Sequence, residues 1–264
     1  GSSIQAQFTS SKVTGVGGDL AWRYDGWLKG TVSVPQWTKL DKPGGTITAG
    51  LLADKQVGND LTLKRGGSVS GTMTDGSIKK ISGDVQWNYQ SWLGGTVTLD
   101  PSDPHTALKG KATATVLQAK EVKAPLTIDR GGTMTVGFDS QKSMLQQQFS
   151  ANLSWWYEKW LGGNLTVNDG STFDNLSGKA DVQLKEEKVY DKLTLRRGGQ
   201  LRATFAASKP ESFGGDLNWM YENWIGGTVK VNDGSKLSSI SGQASASLLE
   251  DKPLPNEFTL MAGG

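Results

Sequence analysis

The sequence has no cysteine, a single histidine and no long apolar run. Without cysteine the chain has no disulfide, no thiolate nucleophile and no cysteine ligand for a metal, whatever its redox compartment. No stretch approaches the ~20 apolar residues of a membrane-spanning helix, so the sequence predicts no transmembrane segment. The 28 Lys and Arg nearly balance the 26 Asp and Glu. With no run of like charges to form a basic patch, nucleic acid is not a predicted partner.

A recognisable catalytic constellation is also lacking. His105 lies in a proline-flanked loop without a recurring nucleophile near it, which is typical of a surface histidine. The glycine pairs do not form a phosphate-binding motif that opens a helix. The NDGS turns at 168–171 and 232–235 supply too few oxygen ligands for calcium. We therefore predict no catalytic residue, no metal and no cofactor.

Glycine and tryptophan are abundant, at 35 and 10 of the 264 residues. This cysteine-free composition, with turn residues throughout and prolines expected in the connections, predicts an all-β fold. One pattern recurs four times, with Trp, Tyr and Trp at offsets 0, 2 and 5, and its first Trp recurs after 65, 68 and 64 residues. Such spacing is typical of repeat architectures. The twelve aromatic residues are Trp22, Tyr24, Trp27, Trp87, Tyr89, Trp92, Trp155, Tyr157, Trp160, Trp219, Tyr221 and Trp224.

Four tandem units of about five strands each follow from this pattern. Each unit continues into a strand of small residues and then a segment such as LTLKRGG or FTLMAGG. When the end of the chain, MAGG, is joined to its start, GSSIQAQF, the resulting sequence resembles RGGSVSGTMT. The first strand is therefore predicted to complete the last unit. We predict one closed, pseudo-four-fold domain, 1–264, in which the N- and C-terminal strands pair, either as a propeller-like ring or as paired β-barrels. The approximate units are 1–67, 68–132, 133–199 and 200–264.

The aromatic segment is predicted to form a hairpin. Trp22 and Tyr24 share a face of their strand. A two-residue turn at Asp25-Gly26 would place Tyr24 opposite Trp27 and Trp22 opposite Lys29. Two interpretations remain open. The rings form a core against the small residues of a neighbouring strand, or at least one ring per unit stays exposed as a platform for the apolar face of a sugar.

One further ring and two sets of polar residues extend the candidate site. Trp156 occupies a position that varies among the units, on the opposite face from the aromatic pattern, and is predicted to be exposed. Three acidic and three basic residues recur at equivalent positions, where they form either an Asp–Arg contact or turn, or hydrogen bonds to sugar hydroxyls. These residues are Asp19, Asp84, Asp216, Arg65, Arg130 and Arg197.

We predict a non-catalytic, multivalent carbohydrate-binding module, lectin-like, whose partner is a glycan or polysaccharide, because linked weak sites raise avidity. Such a partner favours a secreted or cell-surface location, and the oligomeric state is left open. The alternative is a secreted toxin or adhesion component with a protein- or membrane-binding surface and the aromatic triads as core. A purely structural protein is a third possibility. In unit length and number the chain is similar to the mannan-binding agglutinins of cyanobacteria and myxobacteria, but it lacks their NQWGG and GPIGF stretches.

Overall fold

The computed structural model describes residues 1–255 and 257–263. It is all-β, as the composition predicts, and its strands form a large antiparallel sheet. In chain order the strands are β1 Ser3–Thr9, β2 Lys12–Tyr24, β3 Leu28–Thr38, β4 Gly45–Leu51, β5 Lys55–Val57, β6 Leu61–Leu63, β7 Ser68–Thr74, β8 Ser77–Tyr89, β9 Leu93–Ser102, β10 Lys109–Val116, β11 Lys120–Lys123, β12 Leu126–Ile128, β13 Thr133–Asp139, β14 Gln148–Tyr157, β15 Leu161–Ser171, β16 Gly178–Leu184, β17 Lys188–Tyr190, β18 Leu193–Leu195, β19 Gln200–Ala206, β20 Lys209–Tyr221, β21 Ile225–Ser235, β22 Gly242–Leu248, β23 Lys252–Pro253 and β24 Thr259–Leu260.

A single 3₁₀ turn, Met144–Gln146, interrupts the strands of the described chain. Across the described residues, helices of a length and apolarity suited to spanning a bilayer are absent.

The first of two compact units comprises Gly1–Gln118 and Thr133–Gln148. Its long strands pair in the order β1, β2, β3, β4, β7, β8, β9, β10 and β13, each antiparallel to the next. The short hairpin β5–β6 interrupts this meander and pairs through β6 with the end of β8. The buried side chains of this unit are few and come from β4 and β10, at Leu51, Ala114 and Val116.

The second compact unit comprises Ala119–Gly132 and the chain from Phe149 onward. Its long strands pair in the order β14, β15, β16, β19, β20, β21 and β22. The hairpins β11–β12 and β17–β18 pair with β14 and β20, as β6 does with β8. Strands β23 and β24 pair with each other. The buried apolar side chains here are Phe149, Ala151, Val167 and Leu184.

The prolines correct one expectation of the sequence. Pro35, Pro101, Pro210 and Pro253 lie in strands and not in connections. The first three sit where the pairing with the neighbouring strand shifts register. Such β-bulges relieve a residue of ladder hydrogen bonding, so proline is tolerated there without its N–H.

The two terminal edges of the sheet have one neighbour each within the described part of the chain. Strand β1 pairs with β2, and β22 pairs with β21. The predicted closure therefore stays a prediction, as do the single domain and its four units. The final glycine of the predicted last unit, Gly264, and Asn256 lie outside the described residues.

Candidate functional site

The aromatic hairpin has a three-residue loop, which corrects the predicted register by one residue. Tyr24 lies opposite Leu28, and Trp22 lies opposite Gly30 and not Lys29. Asp25 and Gly26 both have positive φ, and Trp27 completes the loop instead of entering the strand. The same register holds for the three other aromatic strands. An Asp-Gly pair predicts the turn but does not fix its length.

The glycine opposite the first Trp is required by close packing. A Cβ atom on Gly30 would lie 1.9 Å from the carbonyl oxygen of Thr48 and 2.4 Å from the Trp22 ring. A Cβ on Gly95 would lie 1.8 Å from the carbonyl oxygen of Thr113. The ring therefore lies across a strand that has no side chain at this point, which explains the second glycine of WLGGTV.

The twelve aromatic residues of the pattern are neither fully buried nor uniformly exposed. All eight tryptophans are half-buried. The tyrosines are exposed, to 38%, 38% and 37% at Tyr89, Tyr157 and Tyr221, but to 63% at Tyr24. The first three each lie opposite a leucine of a short hairpin strand, at Leu61, Leu126 and Leu193. Tyr24 has no such neighbour among the described residues.

A lysine over the second Trp was not predicted from the sequence. The ammonium groups of Lys55, Lys188 and Lys252 lie 5.3, 5.4 and 5.2 Å from the ring centroids of Trp27, Trp160 and Trp224. This distance is typical of a cation–π interaction. Each lysine follows its tryptophan by 28 residues, as Lys120 follows Trp92. That constant spacing was the available signal. One face of these three rings is thus occupied by the protein's own cation.

The loop residue two positions before the second Trp decides whether the indole N–H has an acceptor. Trp160 Nε1 donates to Glu158 at 2.8 Å, and Trp224 Nε1 donates to Glu222 at 3.3 Å. The ammonium of Lys188 and then the Trp160 indole lower the pKa of Glu158. Lys192 and then the Trp224 indole do the same for the pKa of Glu222. In the other two hairpins Asp25 and Gln90 take this position.

Three other indoles lack a hydrogen-bond acceptor in the described part of the chain. The Nε1 atoms of Trp27, Trp87 and Trp92 are buried without a hydrogen-bond partner among the described residues. A buried polar atom without a partner costs stability.

The structure does not bring the predicted acidic residues to the predicted arginines. Asp19, Asp84 and Asp216 lie opposite residues of the preceding strand, at Ser3, Ser68 and Gln200. Within the described chain none forms an ion pair with the predicted arginines Arg65, Arg130 and Arg197, and these arginines are exposed. Instead, Asp54 accepts the backbone N–H of Arg65 at 2.8 Å, and Asp251 accepts that of Ala262 at 2.7 Å.

Trp156 is 40% exposed, which agrees with its prediction as a solvent-facing ring. Its neighbours on the flanking strands are Gly162 and Thr127, so large side chains are absent from both adjacent positions. By strand parity it shares a face with Ser154. Trp156 therefore belongs to the face of β14 opposite the aromatic pattern.

On that face a row of polar side chains crosses four strands. Ser154, Asn164, Asp181 and Arg202 lie directly opposite one another on β14, β15, β16 and β19; we call them the polar row. Ser154 Oγ and Asn164 Oδ1 are 2.7 Å apart, and Arg202 Nε lies 4.0 Å from Asp181. The row and Trp156 line an open groove of about 420 Å³, together with Gln183, Lys185 and Gln200.

Grooves at corresponding positions occur beside two more of the first tryptophans. One includes Trp22, Gly30, Thr31 and Thr48, and the other includes Trp219, Gly227 and Thr228. Their rows carry hydroxyl and amide groups, and Thr228 Oγ1 donates to Asn218 at 2.7 Å. The sequence reasoning identified the two tryptophans, whose rings lie on the opposite face by strand parity, but missed the polar rows.

The described residues contain no group of three or more His, Cys, Asp and Glu side chains placed to hold an ion. The chain matches no protein-family model, no curated protein and no solved structure.

Proposed function

We propose that the chain is a non-catalytic, multivalent carbohydrate-binding module, lectin-like, built from four repeat units. The observation that carries the proposal is the set of open grooves beside Trp22, Trp155 and Trp219. The groove beside Trp155 combines the ring of Trp156 with polar side chains of adjacent strands, and the grooves beside Trp22 and Trp219 carry hydroxyl and amide groups. Shallow sites of this kind, linked in one chain, bind a polymer more tightly than any one site does.

The chemistry of the grooves favours a sugar. A pyranose offers apolar C–H faces and a ring of hydroxyls that both donate and accept. Half-buried tryptophans supply apolar area with a polar edge, and threonine, serine and asparagine side chains both accept and donate hydrogen bonds. On the other face of these strands, the predicted residues Tyr24, Tyr89, Tyr157 and Tyr221 add exposed aromatic edges.

We also propose that the N- and C-terminal strands are partners, which closes the four units. In β4–β7, β10–β13 and β16–β19 a small-residue strand pairs with the strand that follows the RGG segment. By the same register β22 would receive β1, with Ser245 opposite Gln5. Ile4 and Phe8, exposed to 68% and 66%, would then face Ala246 and Gly242. The exposure of both apolar side chains on an unpaired edge supports this pairing.

One observation favours the alternative function, in which the chain presents a protein- or membrane-binding surface. The loop between β21 and β22 exposes Leu237 and Ile240 to 71% and 64%, beside Lys236. Exposed apolar side chains of this kind contact partners or lipid. Under this alternative, Leu237→Ser with Ile240→Ser abolishes binding to protein or to anionic liposomes, and sugars have no effect.

Tryptophan fluorescence with acrylamide quenching tests the main proposal. Titration with uncharged polysaccharides such as mannan, dextran and soluble cellulose derivatives should protect part of the emission from quenching. Substitution of Trp22 or Trp219 by Phe should reduce that protection. Emission that every saccharide leaves unchanged would remove the support for a sugar-binding module.

A further inference from the structure

We infer that the groove beside Trp156 holds an extended primary site for an uncharged oligosaccharide, which crosses the exposed ring of that residue. The inference rests on the proposed function and adds to it the location, the length and the charge of the ligand. Arg23, Asn88 and Met220 occupy the corresponding position in the other units. The groove beside Trp156 is therefore unlike those beside Trp22 and Trp219, because it has an aromatic ring on its polar face.

The ring lies between two hollows, which indicates more than one sugar residue. On one side is the groove of the polar row, of about 420 Å³. A second hollow, also of about 420 Å³, is lined by Trp156 together with Pro125, Thr127 and Glu158. Both hollows are open to solvent. A linear oligosaccharide can pass from one to the other with a middle residue stacked on the ring, and a single sugar can fill only part of the site.

Hydrogen-bonding groups along the groove match a polyhydroxylated ligand. Asn164 uses Oδ1 in its contact with Ser154, which leaves its amide N–H groups for the ligand. Gln183 accepts a hydrogen bond from Lys185 at 2.7 Å and keeps its own amide donors. Asp181 is the acceptor at the centre of the row, 4.0 Å from the guanidinium of Arg202. Alternating donors and acceptors suit sugar hydroxyls, which do both.

The charges of the two hollows argue against an anionic ligand. In the first, Asp129 and Asp181 face Lys185 and Arg202. In the second, Glu121 and Glu158 accompany Lys159. Arg202 is also 3.6 Å from Asp233. Basic groups thus do not exceed acidic ones, and a uronic or sulfated polymer would gain no net attraction.

The test is isothermal titration of the full chain with cello-, malto- and mannohexaose, with their disaccharides, and with a guluronate hexamer as the anionic probe. At least one uncharged hexasaccharide should bind at least about tenfold more tightly than its disaccharide. Trp156→Asn introduces the residue found at this position in the second unit and so should preserve the fold. It should weaken hexasaccharide binding by about tenfold or more, the scale of a lost stacking contact.

Met220→Asn is the matched control, because it makes the same substitution at the corresponding position of the fourth unit. It should leave hexasaccharide affinity within about twofold of the parent. Sugar binding that survives Trp156→Asn but is lost on substitution of Trp22 or Trp219 would overturn this inference and leave the proposed function standing. Tighter, salt-sensitive binding of guluronate would overturn the assigned ligand class. Absence of binding by every probe would overturn both.

Discussion

Each second tryptophan of the aromatic pattern carries an indole N–H that needs an acceptor, and the residue two positions earlier supplies it or fails to. Glu158 reaches Trp160, whereas the shorter Asp25 leaves the N–H of Trp27 without a partner. Lys55 lies over Trp27 as Lys188 lies over Trp160. The side chains of Asp25 and Glu158 thus differ by one methylene group, and only the longer one reaches the indole N–H.

Asp25→Glu should therefore stabilise the protein. Asp25 lies 3.7 Å from the ammonium of Lys55, and the longer side chain can keep this ion pair while it accepts the Trp27 N–H. We expect the free energy of unfolding to rise by about 0.5–1.5 kcal/mol, the net value of one hydrogen bond. Denaturant titration followed by fluorescence measures the change. Asp25→Gln, which has the same length without the charge, separates the two contributions. An unchanged midpoint in both variants would show that the N–H is satisfied in another way.

Glu158 and Glu222 predict that the stability of the protein depends on pH. The pKa values of Glu158 and Glu222 lie below the ordinary value of 4.5. A carboxylate with a lowered pKa in the folded state contributes stability above its unfolded pKa, and that contribution is lost as the pH falls through the folded pKa. Stability should thus decline below the ordinary glutamate pKa.

The double variant Glu158→Gln with Glu222→Gln should be less stable at neutral pH and should lose less stability on acidification. Denaturation midpoints measured from neutral pH to about pH 3 give the comparison. Asp233→Asn is a suitable control, because no indole donates to Asp233 among the described residues. Parallel pH profiles for the parent and the double variant would contradict the role of these carboxylates.

At the scale of single strands, the glycine opposite each first tryptophan sets how closely three strands approach. Gly95→Ala would place a methyl group 1.8 Å from the carbonyl oxygen of Thr113, which lies in the neighbouring strand and cannot move independently. We expect a loss of at least about 2 kcal/mol, as for other overpacked sites. Thermal or denaturant unfolding measures it.

Gly50→Ala is the matched control, because the nearest atom to its added Cβ is 3.8 Å away. It should cost less than about 1 kcal/mol, the ordinary range for a strand surface. Equal losses in the two variants would mean that the repeated glycine is not retained for packing.

The sequence predicts a feature of these strands where the residues that determine it lie close together in the chain. The strands and the exposure of Trp156 follow from periodicity and from comparison of equivalent positions. The register of the aromatic hairpin does not, because Asp25-Gly26 permits loops of two or three residues and only the pairing of Trp22 with Gly30 selects between them. The Lys55 contact escaped prediction because the β5–β6 hairpin brings it back over a ring 28 residues earlier.

At the scale of the whole molecule, closure also depends on a contact between residues that are far apart in the sequence. The similarity between the two chain ends predicts which strands match, but it gives no geometry for their meeting. The exposure of Tyr24, 63% against 37–38% for the other three tyrosines, identifies the position that lacks a covering strand. By the register of the other hairpins, the segment that would cover Tyr24 begins at Phe258, itself 71% exposed.

Gln5→Cys combined with Ser245→Cys tests closure directly, because the chain has no cysteine of its own. If β1 pairs with β22 in the register of β16 and β19, mild oxidation should give an internally crosslinked monomer with a raised melting temperature. Non-reducing electrophoresis and mass spectrometry identify the product. Ser3→Cys with Gln243→Cys, four residues out of register on the same face, should crosslink far more slowly. Disulfide-linked dimers in place of the monomer would mean that these edges pair between copies, and equal rates for both pairs would mean that they do not pair in this register.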